Sequence, residues 1–226
     1  MKVILFGATG MVGQGVLREC LLAPDVEEIL SLGRSASGQT HPKLREELLK
    51  DPGDLSSIAG ELSGFDACFF CLGVSAAGMS EADYRKVTFD LTLSAARTLS
   101  EKSPGMTFMY VSGAGTDGTE RGRTMWARVK GQTENALLKL PFKAVYMLRP
   151  GFIRPLHGIV SKTRAYRVIY ALVGPLSPLI AAIAPNGITT TERLGRAMLT
   201  LARKGAPKKV LEMVDLNALA PAEGAG

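Results

Sequence analysis

A glycine-rich turn near the N-terminus constrains the fold of this chain more than any other feature. The turn occupies residues 7–13 and reads GATGMVG. An apolar segment at residues 2–6 precedes it, and a helical pattern follows, with Val12, Val16 and Cys20 on one face. An apolar strand, a glycine turn and an amphipathic helix in this order predict a β-loop-α unit.

Predicted strands and helices alternate through the rest of the chain. A doubly wound parallel α/β sheet, the Rossmann fold, with a small C-terminal helical elaboration is therefore expected. The segment at residues 44–62 is ambiguous, since a short strand could end at Leu48-Leu49 and residues 55–62 could form a short helix. The other strands are predicted at residues 28–32, 67–72, 107–111, 143–148 and 210–214. The other helices are predicted from a capping box at Ser80 and Asp83 to about Leu99, with Tyr84, Val87, Leu91, Ala95 and Leu99 on one face, and over residues 125–140 and 191–203.

Length and composition favour one domain. The chain has 226 residues, of which 46% are hydrophobic and 21% charged, without a repeat or a central linker. We expect a single domain over residues 1–216 and a flexible tail over residues 217–226, which are rich in Ala, Gly and Pro. An uncharged run at residues 168–185 is interrupted by Gly and Pro, which predicts two short helices and no membrane span.

Several classes of function are disfavoured. The N-terminus lacks the pattern of an export signal, so the protein is expected to be cytoplasmic with reduced thiols at Cys20, Cys68 and Cys71. Cys68 and Cys71 would point to opposite faces of a strand, and His41 and His157 are isolated, so no metal site is predicted. The formal net charge of +6 comes from scattered residues, so nucleic acid is not the expected partner.

The glycine turn is suited to bind phosphate groups. Glycines allow the backbone to approach a pyrophosphate, and the helix N-terminus supplies free N–H groups and the positive end of a dipole. Because the turn lies between a strand and a helix at the start of a βαβ unit, we predict that it binds a nicotinamide dinucleotide. The turn residues expected to contact this cofactor are Gly7, Thr9, Gly10, Met11, Val12 and Gly13.

The ends of two other strands bear on the cofactor. The second strand ends in SLGR without an acidic residue, and Arg34, near Ser35 and Ser37, favours NADP over NAD. The alternative is that Arg34 is an ordinary surface arginine. The end of the fourth strand is expected to lie near the cofactor, although it could be only a turn, and it contributes Cys71, Leu72 and Gly73.

Five motifs together resemble the atypical short-chain dehydrogenases, most closely the Tat-interacting-protein-like branch. The resemblance extends to about residue 205. It implies an NADP-binding protein of one domain, whose better-known relatives are oxidoreductases and some of whose relatives are redox-sensing regulators. The motifs are GATGMVG (residues 7–13), CLG (71–73), YVSGAG (110–115), WARVKGQTENAL (126–137) and LRPGFI (148–153).

The resemblance also implies catalytic positions. The family places a tyrosine and, four residues later, a lysine on one helix face, near a hydroxyl group from the loop after the fifth strand. Lys130 matches the lysine and Ser112 the hydroxyl group, with Thr116 and Thr124 as other candidates. Trp126 stands where the family has tyrosine, and an indole N–H exchanges no proton near neutral pH. Ser112 could instead bond only to the backbone, and Lys130 could be a surface lysine.

The sixth strand leads into Arg149-Pro150-Gly151, and the resemblance implies that Pro150 and Gly151 lie beside the nicotinamide. Residues 156–185 would then wall an apolar pocket or a dimer face, or merely pack in the core. The first hypothesis is an NADPH-dependent reductase of a small carbonyl compound, hydrophobic if the pocket is apolar. The alternative is a non-catalytic NADP-binding module that senses redox state and contacts another protein.

Overall fold

The computed structural model describes residues 1–159 and 187–220, and its main sheet has seven parallel strands. The sheet order is β3-β2-β1-β4-β5-β6-β9, while β7 and β8 pair separately. This order confirms the predicted doubly wound α/β fold. The strands are β1 (Lys2–Phe6), β2 (Glu28–Gly33), β3 (Leu44–Leu48), β4 (Ala67–Phe70), β5 (Thr107–Val111), β6 (Ala144–Arg149), β7 (Phe152–Arg154), β8 (Ile188–Thr190) and β9 (Val210–Glu212).

Helices pack on both faces of the sheet. The ambiguous segment at residues 44–62 contains both a strand and a helix, because β3 is followed by a short 3₁₀ helix, Ser56–Glu61. Within the described ranges, no helix has the length and apolar character needed to span a membrane. The α-helices are α1 (Met11–Leu22), α2 (Glu81–Arg85), α3 (Leu91–Lys102), α4 (Met125–Leu137), α5 (Thr191–Lys204) and α6 (Met213–Leu219).

The central strands are buried on both faces, as parallel strands covered by helices must be. In β1, Leu5 belongs to the apolar cluster beneath α1 and α5, whereas Ile4 belongs to the cluster on the opposite face. Cys68 of β4 and Cys71, which follows that strand, divide in the same way, with Cys68 in the second cluster and Cys71 against the first. Cys20, Cys68 and Cys71 are free cysteines in the structure.

The helix that starts at Ser80 differs from the predicted continuous helix. Its N-cap is as predicted, with Ser80 Oγ accepting a hydrogen bond from the Asp83 amide at 3.1 Å. A π-helical turn, Lys86–Asp90, separates α2 from α3. The wider turn changes which residues face the sheet, so Val87, predicted to be buried, is 40% exposed and Thr88 is buried instead.

The C-terminal part also differs from prediction. The strand predicted at residues 210–214 ends at Glu212, where a capping box with Asp215 starts α6. This helix continues beyond the predicted domain boundary at residue 216, and the Asn217 amide group donates to the Ile188 carbonyl at 3.1 Å. The uncharged run at residues 168–185, most of the predicted pocket wall and residues 221–226 lie outside the described residues.

Candidate functional site

The loops that follow β1, β2, β4, β5 and β6 all lie at the carboxyl edge of the main sheet, where ligands bind in open α/β folds. Backbone hydrogen bonds join two of these loops. The Ser112 amide donates to the Leu148 carbonyl at 2.7 Å, and the Ala114 amide donates to the Pro150 carbonyl at 2.9 Å. Most of the predicted site residues follow these strand ends or open α1.

The glycine turn after β1 packs directly against the loop after β4. Gly7 has a φ of +82°, and a methyl group there would lie 2.8 Å from the Cys71 carbonyl carbon. A methyl group at Gly13 would lie 2.0 Å from the Gly7 carbonyl oxygen. Gly10, the N-cap of α1, receives no side-chain cap, so the first turn of α1 keeps N–H groups for a ligand. The turn, Cys71 and Leu72 therefore form one continuous surface.

The loop after β2 carries Arg34, which is exposed and makes no ion pair with any described residue. Further along this loop, the Ser37 amide donates to Glu46 Oε1 at 2.9 Å. Glu46 is on β3, opposite Ser31 of β2. No sequence pattern indicates Glu46, because the usual pattern places an acidic residue on the second strand and the segment that forms β3 is ambiguous.

Two buried hydroxyl groups interact in the loop after β5. Ser112 Oγ lies 2.8 Å from Thr116 Oγ1, which in turn donates to the Gly113 carbonyl at 2.7 Å. Because the one hydroxyl hydrogen of Thr116 is used there, Ser112 must be the donor to Thr116. Ser112 therefore presents lone pairs at this edge. Thr124, the other candidate hydroxyl, is exposed at the start of α4.

The side chain of Lys130 reaches from α4 to the same loop. Its Nζ donates to the Ser112 carbonyl at 2.6 Å and lies 5.8 Å from the centre of the Tyr110 ring. Burial disfavours the charged ammonium and lowers the pKa of Lys130 to about 8, although nearby Glu134 opposes this shift. The Lys130 side chain is thus partly buried and directed toward the loop after β5.

Trp126 lies one helical turn before Lys130. Its indole ring is half-buried, and a methyl group at Gly115 would lie 3.6 Å from its Cη2 atom. Gly115 belongs to the loop that also holds Ser112 and Thr116. The structure therefore brings the three predicted catalytic positions, at Ser112, Trp126 and Lys130, to the loop after β5.

The loop after β6 contributes the buried Pro150 and the exposed Gly151. A methyl group at Gly151 would lie 3.2 Å from Met213 Cε and 3.7 Å from Ala114 Cβ. Met213, the first residue of α6, thus adds an apolar side chain beside this loop. No local sequence signal identified it, since the residue was assigned to the strand at residues 210–214.

An ion-pair network fixes the elements around this end of the sheet. Glu134 of α4 is 1% exposed, and its carboxylate receives Arg149 Nε at 3.0 Å and Nη2 at 2.5 Å. Arg149 Nη1 also donates to Glu212 at 3.1 Å. These carboxylates raise the pKa of Arg149 further. The network joins α4, β6 and β9, so it fixes the positions of Lys130, Gly151 and Met213 relative to one another.

Comparison with known proteins gives both relatives and structural neighbours. The chain is 30% identical over 211 residues to "Protein fmp52, mitochondrial" of Emericella nidulans, covering 90% of this chain and 88% of that protein. It is 28% identical over 224 residues to "Protein fmp52-2, mitochondrial" of Neosartorya fischeri, covering 94% and 93%. No family model matches the chain.

Solved structures confirm the fold. A short-chain dehydrogenase/reductase from Saccharomyces cerevisiae is similar with a TM-score of 0.66 and 13% identity, covering 97% of this chain and 99% of that one. The Bordetella bronchiseptica enzyme WbmF in complex with NAD+ is similar with a TM-score of 0.65 and 14% identity, covering 94% and 72%. The chain therefore has the fold of the short-chain dehydrogenases.

The predicted cytoplasmic location is wrong. The relatives from Emericella nidulans and Neosartorya fischeri are both named as mitochondrial proteins. The prediction depended on the lack of an export-signal pattern, and that pattern carries no information about import into mitochondria.

Proposed function

Since the chain belongs to the Fmp52 family, we propose that it is a mitochondrial NADP-binding oxidoreductase of the short-chain dehydrogenase type, related to the Tat-interacting-protein-like branch. The observation that carries this proposal is that the glycine turn, the loop after β4 and Lys130 come together at one edge of the sheet. The glycine turn abuts Cys71 and Leu72, and Lys130 enters the loop after β5. Structures with this fold include an enzyme in complex with NAD+.

Each strand end has a proposed part in binding. The N–H groups at the start of α1 would receive the pyrophosphate, with Gly7, Gly10 and Gly13 allowing its approach and Thr9, Met11 and Val12 beside it. Arg34 is free of ion pairs with described residues and would pair with the phosphate on the adenosine ribose. Lys130 would donate to the nicotinamide ribose. The nicotinamide itself supplies hydride chemistry, and the residues expected near it are Cys71, Leu72, Gly73, Pro150 and Gly151.

A reductase also needs a proton source, and Trp126 cannot supply one. We infer that Lys130 takes this part, because its pKa of about 8 permits proton exchange near neutral pH. Burial moves the pKa of Cys71 and of Tyr110 away from neutral pH, to values above their usual range. The expected substrate is a small apolar carbonyl compound beside Met213 and Ala114.

A second candidate function is favoured by Trp126 and by the hydrogen bonding of Ser112. Trp126 fills the place of the proton donor, and the Ser112 hydroxyl hydrogen is already used by Thr116. The protein would then be a non-catalytic, redox-sensing module. Bound NADP would stabilise a surface that contacts another protein. This candidate predicts cofactor binding without turnover.

The test is thermal unfolding with NADPH, NADP, NADH and NAD, followed by NADPH oxidation with a panel of carbonyl compounds. A ligand at about 100 times its dissociation constant adds roughly 2.7 kcal/mol to the free energy of unfolding. We expect the midpoint of unfolding to rise more with NADPH and NADP than with the other two. We also expect turnover with at least one carbonyl compound, and its loss in Lys130→Ala.

The control variant is Lys139→Ala, which removes an exposed lysine close to the end of α4 and should change neither result. Stabilisation without turnover across the panel would favour the second candidate. No stabilisation by any of the four dinucleotides would reject both candidates, because each requires the cofactor.

A further inference from the structure

The loop between β2 and β3 is tied by hydrogen bonds to the end of α1 and to β3. At its far end, Lys43 Nζ donates to the Ala23 carbonyl at 2.7 Å, at the C-terminus of α1. In its middle, the Ser37 amide donates to Glu46 Oε1 at 2.9 Å, and Ser37 Oγ accepts from the Gln39 amide at 3.2 Å. Glu46 therefore ties the part of the loop nearest Arg34 to the sheet.

The other charged residues of β3 point to the opposite face. Arg45 forms ion pairs there with Glu28, Glu47 and Glu61. Glu46 lies next to Arg45 in a strand, so its side chain projects to the α1 face, where it makes no ion pair with any described residue. Its carboxylate is thus committed to a backbone amide and not to a neighbouring cation.

We propose that Glu46 is the positioning residue that sets the choice between NADP and NAD. By holding the Ser37 amide, Glu46 fixes residues 34–37 so that the guanidinium of Arg34 and the hydroxyl of Ser35 face the phosphate on the adenosine ribose. The inference rests on the proposed function. It differs from the usual arrangement, in which an acidic residue of the second strand binds the ribose hydroxyls directly.

A charge-assisted hydrogen bond from a backbone amide orders a loop more strongly than a neutral one. Without it, Arg34 would have to be ordered when the phosphate binds, which lowers affinity for the phosphorylated nucleotide alone. A general structural role for Glu46 would lower affinity for both nucleotides equally. The ratio of the two affinities is therefore the quantity to measure.

The experiment is calorimetric titration of the full chain with NADPH, NADH, adenosine 2′,5′-bisphosphate and adenosine 5′-monophosphate. Glu46→Ala is expected to weaken NADPH and the bisphosphate about tenfold and to change the other two less than about twofold. Glu46→Gln should retain most of the preference, because its amide oxygen still accepts from Ser37. Glu46→Asp, with a shorter side chain, should lie between them. Glu47→Ala is the matched control and should change nothing.

Arg34→Ala combined with Glu46→Ala should weaken NADPH little more than Arg34→Ala alone, because both act on one contact. Equal losses for NADPH and NADH, or an unchanged ratio in Glu46→Ala, would overturn the inference while leaving the proposed function intact. Tighter NADPH and weaker NADH would show that Glu46 contacts the ribose itself and would also overturn it. A wild-type chain that binds neither dinucleotide would reject the proposed function and this inference together.

Discussion

At the scale of single residues, the environment of Lys130 is the most informative. Its ammonium group donates to the Ser112 carbonyl, and the partial burial of this side chain lowers its pKa to about 8. A free lysine has a pKa of about 10.4. Between these two pH values the unfolded chain binds more protons than the folded one, so the free energy of unfolding must rise with pH. Below about pH 8 both states are protonated and the desolvation cost is fully present.

We therefore predict that the wild-type chain gains about 2 kcal/mol of unfolding free energy relative to Lys130→Met between about pH 7 and about pH 9.5. Denaturant unfolding of both chains at several pH values measures this difference. Lys139→Met is the control, since its lysine is exposed and should titrate alike in both states. A constant difference between wild type and Lys130→Met over this range would show that the ammonium is not desolvated.

At the scale of elements, the contact between α1 and α5 depends on two glycines. A methyl group at Gly15 would lie 2.5 Å from Thr191 Cβ and 2.8 Å from the Thr191 carbonyl oxygen. A methyl group at Gly195 would lie 2.8 Å from Glu19 Cγ. Near the second glycine, the buried Glu19 pairs with Arg18 at 2.5 Å and with Arg196 at 3.3 Å. Small residues thus let the two helices approach closely, and the ion pairs lie around that contact.

Gly15→Ala is expected to lower the free energy of unfolding by roughly 1–3 kcal/mol, because the added methyl group meets backbone atoms that cannot move aside easily. Denaturant unfolding measures the change. The matched control is Gly60→Ala in the 3₁₀ helix, where a methyl group meets no atom within 4 Å. Equal effects of the two substitutions would mean that the helix contact is looser than the structure indicates.

At the scale of the whole molecule, the C-terminal residues are hydrogen-bonded to β8 and to the start of α5. Arg193 of α5 donates to the Asn217 carbonyl at 3.1 Å and to the Ala220 carbonyl at 2.9 Å. The Asn217 amide group donates to the Ile188 carbonyl of β8. Asn217 and Ala220 are both buried. The residues after 216 therefore take part in the described fold through Ala220.

A chain that ends at residue 216 should unfold at a lower temperature than the full chain, because it loses these three hydrogen bonds, each worth about 0.5–1.5 kcal/mol. A chain that ends at Ala220 keeps all three and is the matched control. Thermal unfolding followed by circular dichroism compares the chains. If both truncated chains unfolded at the same temperature as the full chain, residues 217–220 would add nothing to stability.

Some features could not be predicted from local sequence. Val87 fits a regular helix face, but a π-helical turn exposes it. This turn packs against α4, which is distant in the sequence. Met213 approaches Gly151 only because β9 joins the sheet next to β6. Glu46 reaches Ser37 only because β3 pairs with β2 in a register that places Glu46 on the α1 face.

The α/β class and most of the residues at the carboxyl edge could be predicted from the sequence, because hydrophobic periodicity and glycine positions act over short distances along the chain. Ser112, Trp126 and Lys130 were likewise identified by their motif positions. The desolvation of Lys130 and the hydrogen bond between Glu46 and the loop that carries Arg34 are visible only in the folded structure. The burial of Lys130 and the position of Glu46 depend on different strands and helices, so they arise only when the sheet brings those elements together.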